Sequence, residues 1–128
     1  MALPKNMRLK GHRTFKYIHK NSRKFYGRHM DLKVAKSNPK ILLSHKDKSN
    51  ILNFKLAITV SKKVSKRSVI RNKIRRVLQE NFLRNFKEQY NHIPYWVIVN
   101  LRSGDLSNNK NELLKDFESL IFKTGILQ

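Results

Sequence analysis

The amino-acid sequence predicts a small α/β (α+β) two-layer sandwich, in which helices cover a short mixed sheet. Three segments have the apolar patterns of β-strands, and two long segments repeat apolar residues with the 3.6-residue period of an amphipathic helix. With one further short helix near the N-terminus, the element order is α-β-β-α-β-α. Because 128 residues is the size of one domain, we expect a single domain over residues 1–128.

The N-terminal part of the chain predicts an arm, a short helix and a strand. Residues 1–12 are basic and show no regular apolar period, so we expect an irregular arm. Arg13–His19 carries large apolar side chains and few helix breakers, which favours a short helix. From Met30 to Ala35, apolar side chains occupy every second position, as in a half-buried strand.

A polar connection and the longest helix follow. Residues 37–53 are rich in Ser, Asn and Lys, which is typical of a long loop. Alternation returns from Phe54 to Val60 and predicts a second half-buried strand. Over Ser68–Phe86 an apolar stripe at helical spacing predicts the longest helix; its members are Ile70, Ile74, Val77, Leu78 and Phe82.

The C-terminal part predicts a buried strand and a final helix. Tyr95–Leu101 is an almost continuous apolar run with β-branched and aromatic residues, which is typical of a strand buried on both faces. Lys110–Lys123 has apolar residues at helical spacing, with residues 107–109 as capping candidates and Gly125 as a C-terminal stop.

The charge of the chain is strongly positive and unevenly distributed. Twenty-nine Lys and Arg face eight Asp and Glu, for a net charge of +21. Residues 1–79 hold 23 of the basic residues and only two acids, Asp31 and Asp47, which accounts for the whole excess. So large an excess indicates a polyanionic partner, and nucleic acid is the usual one.

Several classes of protein are excluded or disfavoured. The chain has no cysteine, so disulfides, thiolate catalysis and Cys-based zinc sites are excluded. No apolar stretch is long enough for a membrane span and no signal peptide is visible, so we expect a soluble cytoplasmic protein with no membrane partner. The five histidines lack zinc-ligand spacing and the carboxylates are scattered, so we expect neither a metal site nor catalytic residues in this chain.

The longest predicted helix presents a ladder of cations. Arg71, Asn72, Arg75 and Arg76 fall on the side of the helix opposite its apolar stripe. Just before the helix, residues 61–67 add four cations, and no carboxylate occurs between Ala57 and Gln79. A solvated helix face normally mixes both signs of charge, so this pattern favours binding to phosphates, for which arginine is well suited.

A second surface favours structured RNA as the partner over DNA. The polar side of the second strand reads Ala57, Thr59, Ser61 and Lys63, a floor on which a single strand could lie. Phe15 could stack on a base at its side, although pattern alone slightly favours a place for Phe15 in the core.

These motifs resemble the signature of the bacterial ribonuclease P protein family. The similarity lies in a strand, Leu56-Ala57-Ile58-Thr59-Val60-Ser61-Lys62-Lys63, followed by a helix with Arg71-Asn72-Lys73-Ile74-Arg75-Arg76. Arg8-Leu9, ahead of Phe15, resembles the opening motif of the family. Lys73 departs from the pattern, since it stands where the family has an arginine, and His19 stands where many members have an aromatic residue.

The resemblance implies a function and a set of site residues. It implies the protein subunit of a ribonucleoprotein endoribonuclease. The RNA subunit of such an enzyme removes the 5′ leader of precursor tRNA by hydrolysis, with Mg²⁺ held mainly by RNA. It also implies a left-handed β-α-β crossover through the basic helix. The residues expected to bind the RNA subunit, here called the basic face, are Lys62, Lys66, Arg67, Arg71, Asn72, Lys73, Arg75 and Arg76. Those expected to line the cleft for the leader, here called the leader cleft, are Phe15, His19, Lys33, Ala57, Thr59, Ser61 and Lys63.

Two alternatives remain open at this point. A ribosomal or other RNA-scaffolding protein could use the same basic helix without any part in an enzyme. A helix-turn-helix DNA-binding protein fits less well, because a strand, not a helix, is predicted before the basic helix.

Overall fold

The structure, a computed structural model, describes residue 3 and residues 7–38, 54–90, 93–103 and 110–125. Along the chain the elements are α1 (His12–Asn21), β1 (Arg23–Tyr26), β2 (Met30–Lys36), β3 (Lys55–Val60), α2 (Ser68–Asn85), α3 (Lys87–Tyr90), β4 (Tyr95–Leu101) and α4 (Lys110–Lys123). Most of the predicted loop over 37–53 lies outside the described residues, and so do the capping candidates at 107–109.

The four strands form one mixed sheet in the order β1-β2-β4-β3. Strands β1, β2 and β4 pair antiparallel, whereas β3 runs parallel to β4, with Ala57 opposite Ile98 and Thr59 opposite Asn100. Since parallel neighbours need a crossover, α2 and α3 provide the connection from β3 to β4. The predicted α+β sandwich is thus confirmed, while the left hand of the crossover stays a prediction from the family.

The structure adds two short elements to the predicted order. Strand β1 pairs with β2 through a tight turn, in which the Gly27 N–H donates to the Met30 carbonyl at 2.8 Å. Phe25 is half-buried, and the other three β1 side chains are exposed, because β1 lies at the edge of the sheet. An edge strand without alternating burial leaves little apolar pattern to detect, and the four-residue α3 is too short for one.

The larger core lies on the face of the sheet that α2, α3 and α4 cover. Its aromatic centre is formed by Phe54, which stacks on Phe82 with 5.2 Å between ring centroids, and Tyr90, whose ring meets Phe54 edge-on at 5.6 Å. Alternate residues of the strands complete it, among them Leu32, Leu56 and Val99. The alternation seen in the sequence therefore predicted this face correctly.

The opposite face is covered only in part, because α1 packs across β2 and β4 and leaves the outer strand β3 open. The smaller core beneath α1 contains Ile18, Ala35, Trp96 and Ile98. Strand β4 is buried on both faces along most of its length, as predicted, but Asn100 near its end is exposed. The uncovered part of this face is where the candidate site lies.

The N-terminal arm is more ordered than its sequence predicts. Leu3, Met7 and Leu9 are buried, and Arg8 forms a parallel bridge to Leu56 at the free edge of β3. The Leu9 N–H donates to the Leu56 carbonyl at 3.4 Å. Apolar side chains at irregular spacing hold this segment to the sheet, which a search for periodicity does not detect. Among the described residues, no helix is long and apolar enough to cross a membrane.

Candidate RNA-binding surfaces

The basic face begins at the turn between β3 and α2, which two serines organise. The Ser61 hydroxyl accepts the Lys63 N–H at 3.1 Å, and the Ser65 hydroxyl accepts the Arg67 N–H at 3.2 Å. These local bonds satisfy the N–H groups of Lys63 and Arg67 with serine hydroxyls. Lys62, Lys66 and Arg67 are accordingly exposed.

Helix α2 continues this surface. It buries Ile74, Leu78, Asn81 and Phe82 against the sheet and α4. On the outer side, Asn72, Lys73 and Arg76 are exposed. The predicted apolar stripe is shifted, since Ile70 and Val77 are only half-buried.

Arg71 and Arg75 lie on the flank of α2 rather than on its outermost line, and each is half-buried. The Arg71 guanidinium donates to the Ser65 carbonyl at 2.9 Å, and the Arg75 guanidinium donates to the Asn72 side-chain carbonyl. Each bond engages one edge of a guanidinium fork that carries five N–H donors, so donors remain for phosphate. The bonds orient both arginines.

The electrostatic character of the basic face follows from its excess of cations over nearby acids, since Glu80, one turn after Arg76 on α2, offsets only a small part of the charge. Two contacts between carboxylates and basic side chains, the hydrogen bond of His29 with Glu112 and the ion pair of Arg102 with Asp31, lie away from the basic face. Helix α2 has no acidic residue in its first turn, and its N-cap residue Arg67 makes no side-chain capping bond. Helix α2 therefore supplies no counter-charge of its own to the positive end of its dipole.

The leader cleft lies between α1 and the uncovered part of the sheet. Its floor is a row of residues in register across three strands: Lys33 on β2, Ile98 on β4 and Ala57 on β3. The next row carries Asp31, Asn100 and Thr59. Strand β4 therefore lies between the predicted cleft residues of β2 and those of β3, and the pairing of the three strands places them in the same rows.

Asn100 belongs to this floor although sequence reasoning missed it. It is exposed, and its side-chain carbonyl accepts the Thr59 hydroxyl at 3.0 Å. The available signal was the single polar residue in the apolar run Tyr95–Leu101, two residues after Ile98 on the same face. Beside it, the Asp31 carboxylate accepts a bond from the Arg102 guanidinium at 3.0 Å, so the charge of this acid is compensated.

The wall of the cleft is the side of α1 that carries Phe15 and His19, four residues apart. Phe15 is half-buried and packs against the smaller core, so it is partly a core residue and partly accessible from the cleft. His19 is exposed and its Nδ1 lies 2.7 Å from the Lys33 ammonium. Partial burial lowers the pKa of His19 below 6.5, and the charges of Lys33 and Lys24 lower this pKa further.

Ser61 and Lys63 lie where the floor passes into the turn before α2. Ser61 is half-buried and Lys63 is exposed, so the leader cleft and the basic face meet here. None of the fifteen predicted site residues is fully buried. Their contacts with RNA stay predictions.

The described residues contain no group of three or more His, Asp or Glu side chains arranged to hold a metal ion. What the two surfaces offer is mainly cations, amides, hydroxyls, an imidazole and one aromatic ring, while the Asp31 carboxylate is paired with Arg102. These groups bind phosphates and stack on bases, and together they suit an RNA ligand.

Comparison with known proteins points the same way. The family model described as Ribonuclease P matches residues 3–125. The ribonuclease P protein component of Prochlorococcus marinus strain MIT 9515 is 62% identical over 127 residues, covering 99% of this chain and 98% of that relative.

Solved structures agree on the fold. The ribonuclease P protein of Staphylococcus aureus superposes with a TM-score of 0.72 at 23% identity, covering 95% of this chain and 98% of that one. The ribonuclease P protein of Thermotoga maritima gives a TM-score of 0.65 at 20% identity, covering 91% and 96%. The alternative of a helix-turn-helix fails on the structure itself, because α2 follows a strand and a turn.

Proposed function

Because the chain belongs to the ribonuclease P protein family, we propose that it holds two RNA partners at once, the catalytic RNA on its basic face and the 5′ leader of precursor tRNA in its leader cleft. It is the protein subunit of a ribonucleoprotein endoribonuclease of tRNA processing, with ribonuclease P RNA as its partner. A scaffold protein outside any enzyme is set aside by this membership.

The observation that carries the proposal is the basic face, on which eight residues gather with Glu80, one turn after Arg76, as the acid that interacts with them in the described part of the chain. A folded RNA provides the missing negative charge, and each phosphate contact releases bound counterions. Arg71 and Arg75 are held in place by their own hydrogen bonds, so less side-chain entropy is lost when they bind.

The leader cleft suits an unpaired strand rather than a duplex. Its floor is built of small and polar side chains, Ala57, Thr59 and Asn100, over which a single strand can approach the sheet closely. Phe15 offers a ring for base stacking, and Lys33 and Lys63 offer charge for the phosphates. Such contacts tolerate different leader sequences, since every base has a face to stack on.

The bond-breaking step is assigned to the RNA subunit. Mg²⁺ held mainly by that RNA would activate water and stabilise the leaving oxygen when bound. The residues of this chain position the leader strand and offset the repulsion between two RNA backbones. In this role the protein acts in the cytoplasm, where tRNA precursors are processed in bacteria.

A reconstitution experiment tests the proposal. The purified protein is added to ribonuclease P RNA at a Mg²⁺ concentration too low for the RNA alone, and release of the 5′ leader is followed. We expect leader release with both components and none with the protein alone. Cleavage by the protein without RNA, or no stimulation of the RNA, would contradict the proposal.

A further inference from the structure

Helix α1 borders a second concave surface on the side away from the leader cleft. Phe15 and His19 face the cleft, whereas Tyr17 and Asn21 line a cavity of about 450 Å³. The cavity lies where β1 begins and β2 ends, beside the C-terminal end of α4. The proposed function makes no use of it.

The cavity combines aromatic rings with cations. Tyr17, Phe25 and Tyr95 contribute rings from three different elements, and Arg23 and Lys36 contribute charges. The Arg23 guanidinium lies over the Phe25 ring, 5.4 Å from its centroid, and the Tyr17 hydroxyl donates to the Lys36 carbonyl at 2.9 Å. These contacts fix the Phe25 and Tyr17 rings and the backbone at Lys36, while both charged residues stay exposed to solvent.

The remaining wall has the opposite polarity. Thr124 and Gly125 follow the last turn of α4 and donate to its Leu120, Ile121 and Phe122 carbonyls, so the helix dipole places partial negative charge on the carbonyls that come after these three. Among the residues that the structure describes, no carboxylate lines the cavity. A ligand that fits such a site carries an anionic group, a flat ring and N–H or O–H donors.

We propose that this cavity is a second nucleotide-binding site, which takes one unpaired nucleotide of RNA with its phosphate at Arg23 and Lys36 and its base among the tyrosine rings. A free inorganic phosphate would leave the rings unused, and an acidic peptide would bring carboxylates to the negative end of α4. A nucleotide satisfies all three features of the site.

The outer side of α1 connects this cavity with the leader cleft. Arg13, Lys16 and Lys20 are exposed and lie on one side of the helix, between the Phe15 side and the Tyr17 side. An RNA strand that leaves the cleft can therefore cross α1 along cations. The nucleotide in the cavity belongs either to a long leader or to the catalytic RNA, and the experiment separates the two sources.

The experiment compares two double variants of equal charge in the reconstituted holoenzyme. R23A/K36A removes the two cations of the cavity, and K87A/K115A removes two exposed cations from α3 and α4 as a matched control. One arm measures affinity for precursor tRNA with a leader just long enough to fill the cleft and with a much longer leader. The other arm measures affinity of each protein for ribonuclease P RNA without substrate.

We expect R23A/K36A to weaken binding about tenfold in one arm, and to lower the slope of log affinity against log salt by about 0.7 for every phosphate that is no longer bound. A loss confined to the long leader assigns the site to the leader, and a loss for ribonuclease P RNA assigns it to the catalytic RNA. Affinity equal to that of K87A/K115A in both arms would overturn the proposal. If short-leader binding stays intact, the proposed function itself holds whatever the result for the cavity. If the double variant unfolds, K36A alone, which leaves β1 unchanged, repeats the test.

Discussion

The carboxylate of Asp116 on α4 accepts the backbone N–H of His29 at 2.8 Å, and its second oxygen accepts the Arg28 N–H at 3.2 Å. One side chain thereby holds the turn between β1 and β2 against α4. Gly27 in the same turn leaves room for it, because a Cβ at this position would lie 2.6 Å from the carboxylate. The edge strand β1 is thus held against α4 through the turn that follows it.

We predict that Asp116→Ala lowers the free energy of unfolding by about 2–3 kcal/mol, because two backbone N–H groups lose a charged acceptor. Denaturant unfolding measures the change. Lys115→Ala, at the exposed neighbouring position of the same helix, is the control and should change stability by less than about 0.5 kcal/mol. Equal stability of the two variants would show that the turn does not depend on this carboxylate.

Asp116 also illustrates which parts of the fold periodicity can predict. The helix Lys110–Lys123 was predictable because its apolar spacing is determined by the sheet beneath it. The role of Asp116 depends on a turn 87 residues earlier in the chain, which no local pattern encodes. For the same reason β1, whose pairing with β2 is its main stabilising contact, left no signal in the sequence.

The candidate site was predictable where charge alone defines it. The acid-free run before α2 and along its first three turns indicated the basic face, and the structure leaves these cations exposed or half-buried on the turn before α2 and on the outer side and flank of that helix. The flank positions of Arg71 and Arg75 were not predictable, since an ideal helical wheel ignores how α2 tilts on the sheet. Asn100 was missed because its partner Thr59 lies on a different strand.

We predict that Arg71→Ala combined with Arg75→Ala weakens binding to ribonuclease P RNA and flattens its dependence on salt. For every phosphate that the variant no longer binds, the log–log slope should fall by about 0.7 to 0.9. Titrations at several salt concentrations measure both quantities. K87A/K115A removes the same charge from outside the basic face and should keep the original slope; an unchanged slope in the arginine variant would count against the basic face.

Phe15→Ala should weaken binding of leader-bearing precursor about tenfold while mature tRNA binding stays the same, because the variant cannot stack on a base in the cleft. Since Phe15 also packs on the smaller core, the variant should lose about 1–3 kcal/mol of stability. Ile18→Val, in the same core but fully buried, costs about 1 kcal/mol without touching the cleft. Equal losses for precursor and mature tRNA would make Phe15 a core residue only.

Asn100→Asp tests the floor of the cleft with almost no change of shape. The carboxylate still accepts the Thr59 hydroxyl, so the fold should be retained, but it adds a negative charge where leader phosphates pass. We expect weaker binding of leader-bearing precursor, with the loss largest at low salt. Asn111→Asp, at an exposed position of α4, makes the same chemical change outside the cleft and should leave leader binding intact. Identical behaviour of the two variants would remove Asn100 from the cleft.

His19 should make leader binding dependent on pH. In the free protein, partial burial and then the charges of Lys33 and Lys24 hold the pKa of His19 below 6.5, so the folded state resists protonation. Its contribution to stability is present above pH 6.5 and is lost as pH falls through the lowered pKa.

Leader phosphates in the cleft shift the pKa of His19 in the opposite direction, because negative charge near the imidazole raises its pKa and binding then takes up a proton. Affinity for leader-bearing precursor, relative to mature tRNA, should therefore rise as pH falls below 6.5, and His19→Gln should abolish that rise while removing the contribution of His19 to the acid sensitivity of the free protein. Parallel pH profiles for the wild type and His19→Gln would place His19 outside the reach of the leader.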